Sequence, residues 1–381
     1  MVNIVSNNDI NPQKRITIYD VARECGVSKS TVSMVLTGDD RVNSKTIERV
    51  REAITKTGYH PQHNQSARRL VLMKYDRAPL NNTIAIIIPG EFMDDPYHHD
   101  IFRGVWNVLK NSGLDLIIIS QDTILDSNNP ISTCIARGDV DGVIIVESME
   151  SPAQSMLERL RREFGFGQKP VITTMVDIPD SYSVLPNLLI GSKQATEYLL
   201  HNGHRHILQL SPNFAPYLAK PRLEGIFEGY KSYNLQANNY LTVRYIDYIW
   251  LDINSNIIPP ATMFKDLYRT SGEEIIPYLA AHPEITAILA WNDPCAIHLI
   301  NLLSSFGISV PEQISVIGHD DTFPFLDKTG NNQLTTIKIP LIEIGKAAGQ
   351  LICNLTKDEP TDDIPRVLPT NLVIRKSTKN I

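Results

Sequence analysis

The chain has 381 residues, 42% of them hydrophobic, and a formal net charge of −6. No apolar run approaches the roughly 18 residues that a membrane span needs, and the polar tail at residues 1–15 lacks the pattern of a secretory signal. The four cysteines are far apart and form no CxxC pair, which argues against a disulfide framework or a zinc site. These features predict a cytoplasmic protein with a small domain beside a larger one.

The charge is unevenly distributed along the chain. Residues 1–75 hold 12 Lys/Arg and 7 Asp/Glu, a net charge of +5, whereas the remainder carries −11. A basic head on an acidic body predicts that only the head binds a polyanion.

Residues 16–61 show the pattern of three short helices. Thr17 is placed to cap the first, whose apolar residues recur at i, i+3, i+4 and i+7 before Gly26 ends it. Ser28 caps the second helix and Ser44 the third. Two short helices joined by a glycine turn, with a third to bury them, form an all-α helix-turn-helix domain. An ordinary three-helix bundle is the alternative.

The second helix of a helix-turn-helix enters the major groove of double-stranded DNA. Phosphate contacts would position the head, whereas base contacts would give it specificity. The candidates for base contacts are Lys29, Ser30, Ser33 and Met34. The candidates for phosphate contacts are Thr17, Tyr19, Thr31 and Arg41.

The run from Thr17 to Ser33 resembles the head of the LacI/GalR family of bacterial transcription regulators, as does the closing Gly58-Tyr59-His60-Pro61. The resemblance implies that Lys29, Ser30 and Met34 face base edges, and it adds Tyr59 to the DNA-binding candidates. Arginine is common in the family where this chain has Met34, so the operator sequence of a relative does not transfer.

Residues 62–82 are predicted to form a hinge helix and a linker. The segment Ala67-Arg68-x-Leu70 resembles the family's hinge, which implies that Leu70 wedges into the minor groove and that Arg68 contacts the backbone. A helix this short is unstable alone, and it needs DNA and the hinge of a second copy of the chain to form. The hinge therefore predicts a homodimer. Gln62-His63 is an insertion relative to the family, and a plain polar linker is the alternative for this segment.

Residues 83–378 alternate short apolar strands with helices, which predicts two doubly wound parallel sheets in two lobes. Several segments resemble the family's periplasmic-binding-protein-like effector domain, among them Asn292-Asp-Pro-Cys-Ala296 and the run from Val310 to Asp321. The resemblance implies a first lobe at about 83–186 with a return near 332–342. The second lobe would comprise about 187–331 and 343–378.

Ligands of open α/β sheets bind at the carboxyl ends of strands. Asp320 and Asn292 each follow a predicted strand, and Arg222 is expected in the loop after the strand His206–Leu210. The resemblance implies that these three residues hydrogen-bond a small effector; a structural ion pair is the alternative for Arg222 and Asp320. Candidates for stacking on the effector, or alternatively for the core, are Phe92, Trp250 and Trp291.

Enzyme motifs are absent from the sequence: there is no GxGxxG, P-loop or GxSxG. His204 and His206 could ligate a metal, but a role in a helix-to-strand turn is favoured, so no catalytic residue, metal or cofactor is predicted. Together with the helix-turn-helix pattern, the resemblance implies a DNA-binding regulator, a repressor controlled by a sugar or sugar derivative. The alternatives are a purine- or nucleoside-responsive regulator of the same fold and an enzyme fused to a DNA-binding head.

Overall fold

The computed structural model divides the chain into two compact units, residues 1–81 and 82–381. The residues that it describes are 17–36, 41–57, 59, 80–89, 95–126, 133–146, 153–163, 166–167, 169–212, 216–246 and 269–381. No helix within these ranges is both long enough and apolar enough to cross a bilayer.

The first unit contains the three predicted helices, α1 (Ile18–Cys25), α2 (Lys29–Leu36) and α3 (Ser44–Thr57). Gly26 ends α1 at a φ of +62°, a conformation that glycine adopts without strain. Arg49 of α3 donates from Nη2 to the Cys25 carbonyl at 2.5 Å, which ties α3 to the end of α1. The core of this unit consists of Ile18, Val21, Ala22, Cys25, Val32, Val50, Ala53 and Tyr59.

Polar side chains fix the starts of α2 and α3. Ser28 Oγ accepts from the backbone N–H of Thr31 at 3.1 Å, as expected for a cap. The third helix is capped one residue earlier than predicted, since Asn43 Oδ1 accepts from the N–H of Thr46 at 2.9 Å. Asparagine caps helices as well as serine does, so the adjacent Ser44 begins the helix instead of capping it.

The first sheet of the second unit is parallel throughout. Its strands are β1 (Thr83–Ile88), β2 (Asp115–Ser120), β3 (Gly142–Val146), β4 (Val171–Thr174), β5 (Tyr182–Asn187) and β11 (Val367–Pro369). Their order is β11-β5-β4-β3-β1-β2. The helices of this lobe are α4 (Pro96–Leu109), α5 (Gln121–Leu125), α6 (Thr133–Ala136), α7 (Ala153–Glu163) and, from later in the chain, α12 (Leu341–Lys357). One face buries residues of α7, and the other buries residues of α4 and α12.

The second sheet has the order β12-β10-β9-β8-β6-β7 and is parallel except for the pairing of β12 with β10. Its strands are β6 (His206–Pro212), β7 (Leu241–Ile246), β8 (Ile285–Leu289), β9 (Ser315–Asp320), β10 (Thr335–Lys338) and β12 (Asn371–Val373). Its helices are α8 (Leu188–His201), α9 (Pro216–Ser232), α10 (Arg269–Ala281) and α11 (Asp293–Ser305). Helices α8 and α9 cover one face, and α10 and α11 cover the other. The two predicted doubly wound sheets are confirmed.

The return of the chain to the first lobe differs from the prediction. We expected residues 332–342 there, but β10 pairs with β9 in the second sheet, and the return is made by α12 and β11. The bounds that the resemblance implied were therefore wrong for this strand, and a four-residue strand carries no sequence signal of its own for the sheet that it joins.

Candidate functional site

The exposed surface of the first unit carries the predicted base-reading residues of α2. Lys29 and Ser30 are exposed, and Ser33 and Met34 are half-buried. Lys29 Nζ donates to the Tyr19 hydroxyl at 3.3 Å and lies 4.9 Å from the centre of its ring. Tyr19 itself is 58% exposed, so α1 and α2 together present a cation beside a hydroxyl, a combination suited to phosphate contact.

The two predicted threonine contacts already have partners within the head. Thr17 Oγ1 donates to Asp20 Oδ2 at 2.7 Å, and Thr31 Oγ1 lies 2.8 Å from Ser28 Oγ. Both threonines are half-buried, whereas Arg41 is exposed. These hydrogen bonds give the threonines a structural role at the starts of α1 and α2.

Tyr59 departs from the prediction of a DNA contact. It is 3% exposed and packs in the core of the head, so its ring supports the three helices and does not line their surface. The hinge residues Arg68 and Leu70 and the stacking candidates Phe92 and Trp250 lie outside the described residues.

The three predicted effector residues gather at the carboxyl edge of the second sheet. Asp320 is the last residue of β9, Asn292 follows β8, and Arg222 lies in α9, which follows β6. Arg222 and Asn292 are 6% and 8% exposed, which is unusual for such polar side chains. Arg222 Nη2 lies 4.0 Å from Asp320 Oδ1.

The position of Arg222 differs from the expected loop. In the structure α9 begins at Pro216 and contains Pro221 in its interior, which places Arg222 within the helix. A helical position holds the guanidinium more rigidly than a loop would.

Trp291 fixes the guanidinium of Arg222. The Arg222 Cζ lies 3.9 Å from the centre of the indole ring, and its Nη1 donates to the Trp291 carbonyl at 2.6 Å. Trp291 is 2% exposed, so the face that we expected to stack on an effector packs within the protein. Its contact with Arg222 combines cation–π attraction with a hydrogen bond and thus orients a buried donor.

His319 completes the group, although the sequence did not identify it. Its Nδ1 lies 2.8 Å from Asp320 Oδ1, the same oxygen that faces Arg222. Burial, and secondarily the charge of Arg222, lowers the pKa of His319 to about 4. The ring is therefore neutral at physiological pH. The contact is made at a bend, where Asp320 has a φ of +100°, and no sequence pattern predicts that bend.

Asp293 holds the loop that follows β9. Its Oδ2 accepts from the N–H of Thr322 at 2.9 Å, and its Oδ1 accepts from the Thr336 hydroxyl at 2.5 Å. Burial, together with the charge of Asp320, raises the pKa of Asp293 well above its ordinary value. No sequence pattern indicates this role, because an aspartate in the first turn of a helix is common.

Asn292 has a structural role in addition to any ligand contact. Its Oδ1 accepts from the N–H of Cys295 at 2.9 Å and so caps α11. A capping asparagine keeps its two amide N–H donors for other partners.

His204 has a structural role in the helix-to-strand turn, as the sequence favoured. His204 Nδ1 lies 2.8 Å from Thr286 Oγ1, and its Nε2 lies 3.1 Å from the Lys379 carbonyl, which ties the turn to the end of the chain. Burial lowers the pKa of His204. Across the described ranges, no group of three histidine, cysteine or acidic side chains could hold a metal ion. Near the start of α4, Asp95 Oδ1 accepts from the N–H of Tyr97 and so caps the helix, and its Oδ2 contacts His98 Nδ1.

A helix-turn-helix unit followed by two doubly wound lobes, with an oriented cation and carboxylate at one strand edge, defines a ligand-responsive DNA-binding regulator. The model of the lacI family of bacterial regulatory proteins matches residues 17–62, and that of the periplasmic binding proteins and sugar binding domain of the LacI family matches residues 81–239. A periplasmic binding protein-like domain matches residues 196–378. The chain belongs to the LacI/GalR family of bacterial transcription regulators.

Relatives match this chain over nearly its whole length. The transcriptional regulator CelR of Thermobifida fusca is 26% identical over 369 residues, which cover 96% of this chain and 99% of CelR. A solved CelR–cellobiose complex matches with a TM-score of 0.58 at 22% identity, covering 95% of this chain and 100% of that one. The lac repressor dimer bound to operator and the anti-inducer ONPF matches with a TM-score of 0.60 at 20% identity, covering 96% and 100%. These two structures share the fold of the present chain.

Proposed function

We propose that this chain is a cytoplasmic repressor that binds a near-palindromic operator as a homodimer and responds to a sugar-like effector. The observation that carries the effector site is the buried guanidinium of Arg222, which Trp291 orients and which lies 4.0 Å from Asp320 at the strand edge. Such a pair offers a fixed donor beside a fixed acceptor. The chain acts by binding and not by catalysis. This is supported by its relatives, which are named as a transcriptional regulator and a catabolite control protein.

The chemistry of this group favours an uncharged polyhydroxy ligand. The opposite charges of Arg222 and Asp320 cancel, so neither an anion nor a cation gains from the net charge. A sugar hydroxyl both donates and accepts, so it can satisfy the carboxylate and the guanidinium together. The cellobiose complex of CelR, a relative of the same family, supports this choice. A purine or nucleoside edge carries the same two functions and is the alternative ligand.

DNA binding places α2 in the major groove, where Lys29, Ser30 and Met34 reach base edges. In the proposed dimer, Leu70 of each hinge enters the minor groove and Arg68 contacts the backbone. The effector would change the spacing of the two hinge segments through the second unit, and so change the affinity for DNA.

The DNA-binding part is tested by fluorescence anisotropy with DNA from upstream of the chain's own locus. Lys29→Ala should weaken binding at least about tenfold, because it removes a base or phosphate contact. Lys45→Ala, which removes the same charge from an exposed position of α3, is the matched control and should bind as the wild type does. If no upstream fragment binds in a salt-sensitive manner, the proposal is wrong.

The effector part is tested by a thermal-shift screen of sugars, sugar acids, nucleosides and purines, since a ligand that binds only the native state raises the melting temperature. Asp320→Asn should abolish the shift produced by any hit, whereas Asp362→Asn, at an exposed position of the same unit, should keep it. Hits confined to purines would replace the sugar with the alternative ligand. Chemical conversion of a hit compound by the protein would favour the enzyme hypothesis.

A further inference from the structure

Among the described residues, one buried ring nitrogen at the strand edge makes no hydrogen bond. His319 is 2% exposed, and its Nε2 makes no hydrogen bond in the part of the chain that the structure describes. Leaving a buried polar atom unsatisfied destabilises the fold, and an apolar side chain of similar size would avoid that cost. The hydrogen bonding of this ring is therefore left to its other nitrogen.

That other nitrogen controls one oxygen of Asp320. Nδ1 lies 2.8 Å from Asp320 Oδ1, and an ionised carboxylate only accepts, so Nδ1 carries the proton and donates it. Within the described residues, the side-chain contacts of Asp320 all involve Oδ1, which leaves Oδ2 without a hydrogen bond. The side chain of Asp320 is 12% exposed, so a small molecule at the edge of the sheet can reach it.

The backbone at Asp320 has an unusual conformation. A φ of +100° is a conformation that side-chain-bearing residues rarely adopt, so the bond from Nδ1 to Oδ1 joins two neighbours at a bend and not along a regular strand. Without the bond from Nδ1, the carboxylate is free to rotate toward Arg222 and form a closer, symmetric ion pair. The guanidinium and the carboxylate would then satisfy each other and not a ligand.

We propose that His319 is the positioning residue of the effector site: its Nδ1–H holds Asp320 Oδ1 so that Oδ2 stays available to accept from a ligand hydroxyl. The inference rests on the proposed effector function of Asp320. It assigns to His319 a role in affinity for hydroxyl donors and not in stability.

The surroundings of the His319 ring suit this role. The charged groups that face the ring are Asp320 and Arg222, and burial beside Arg222 lowers the pKa of His319, which keeps the ring neutral. A neutral ring donates one hydrogen bond without neutralising the carboxylate. An arginine or lysine at this place would compete with Arg222 for Asp320.

The first test needs no effector. In the full chain labelled with ¹³C-histidine, the Cδ2 shift distinguishes the two neutral tautomers, and the His319 signal is assigned by its absence from His319→Asn. We expect the Nδ1–H tautomer from neutral pH down to about pH 5, and loss of that preference in Asp320→Ala. An Nε2–H tautomer, or a charged ring at neutral pH, would overturn the proposal whatever the protein binds.

The second test uses calorimetry with cellobiose or with the best sugar hit of the screen. His319→Phe keeps a planar ring but removes the donor, and it should weaken binding about tenfold. His319→Asn keeps a donor near the position of Nδ1 and should restore affinity to within about threefold of the wild type. Because Phe also removes the unsatisfied Nε2, its melting temperature should equal or exceed that of the wild type.

The outcomes separate this inference from the proposed function. Equal sugar affinity in wild type and His319→Phe would overturn the positioning role and leave the effector site intact. Failure of every compound to bind the wild type would count against the proposed effector function, and the tautomer measurement would then decide the restraint on Asp320 by itself.

Discussion

Asp293 joins three segments of the second unit through one carboxyl group. Replacing it with alanine strands the N–H of Thr322 and the hydroxyl of Thr336 in a buried site, so Asp293→Ala should lower the free energy of unfolding by about 3 kcal/mol. Asp293→Asn keeps an acceptor for the N–H and offers a donor to Thr336, so it should cost less than about 1 kcal/mol. The raised pKa of Asp293 favours its neutral form, which asparagine imitates.

The measurement is urea unfolding followed by tryptophan fluorescence, which reports on the second unit because Trp106, Trp250 and Trp291 all lie there. Similar losses in the alanine and asparagine variants would show that the loop after β9 is held by other contacts.

His319 makes the stability of the same unit depend on pH. Its pKa is about 4 in the fold against an ordinary 6.5, so the unfolded chain binds more protons between these values. The stabilisation that the fold gains from a neutral His319 is complete above about pH 6.5 and is lost as the pH falls toward about 4. The free energy of unfolding therefore falls by about 2 kcal/mol between about pH 6.5 and 5. Asp293 contributes with the opposite sign, since its pKa is raised.

Urea unfolding of the wild type and His319→Phe at several pH values isolates this effect, because Asp293 is common to both proteins. Over that interval the variant should lose about 2 kcal/mol less than the wild type. Parallel pH profiles would mean that His319 has an ordinary pKa in the fold.

The residues of the candidate site were predictable to the extent that strand ends reveal them. Asn292 and Asp320 follow apolar strand patterns directly, so the pattern of the sequence is enough to place them at one edge of a sheet. His319 and Asp293 could not be predicted, because each depends on irregular backbone: the bend at the neighbouring Asp320 for His319, and the loop carrying Thr322 for Asp293. Local sequence encodes neither turn.

Among the helices and strands, the pair α4 and α12 is the most constrained by glycine. A Cβ on Gly104 would lie 2.1 Å from the Ile342 carbonyl oxygen, and one on Gly345 would lie 2.1 Å from the Ile101 carbonyl oxygen. The two backbones thus touch at this crossing. Gly104→Ala and Gly345→Ala should each lower the free energy of unfolding by about 3 kcal/mol, since backbone atoms must move to admit the methyl group.

Gly349→Ala is the matched control in the same helix. Its Cβ would lie 3.1 Å from Val108 Cβ and 3.3 Å from the Val105 carbonyl oxygen, so these neighbours need to move by only a few tenths of an ångström and the cost should stay below about 1 kcal/mol. The same fluorescence-detected unfolding compares the three variants. Equal effects at Gly345 and Gly349 would mean that helix propensity, and not the close crossing, decides the stability.

The elements themselves followed from periodicity, but their partners did not. The strand patterns at Thr83–Ile88 and Val171–Thr174 are nearly continuous apolar runs, as buried parallel strands require. The sequence of α12 is typical of any amphipathic helix. Its close packing against α4 at Gly104 and Gly345 shows that it returns to the first lobe. Pairing over long sequence separations is decided by packing, which a single sequence does not display.

At the scale of the whole molecule, the contrast between a head of +5 and a body of −11 makes DNA binding dependent on salt. Each phosphate neutralised by a lysine or arginine contributes about −0.9 to the slope of log K against log salt. Lys29→Ala should therefore make the slope shallower by about 1 for each Lys29–phosphate contact, as measured by anisotropy across a salt series. Lys45→Ala again serves as the control. An unchanged slope with weaker binding would assign Lys29 to a base and not to a phosphate.

The two units must also be coupled thermodynamically if the effector controls DNA binding. Whatever factor a bound sugar imposes on operator affinity, operator must impose on sugar affinity, because the two equilibria share one cycle. Calorimetric titration of the full chain with a sugar hit, with and without saturating operator, should therefore give dissociation constants that differ about 5- to 150-fold, the usual range of such coupling.

Leu70→Ala should reduce this factor by weakening specific binding, because the hinge then no longer distinguishes operator from other DNA. Equal sugar affinities with and without operator would show that ligand binding to the second unit is not coupled to DNA binding by the first.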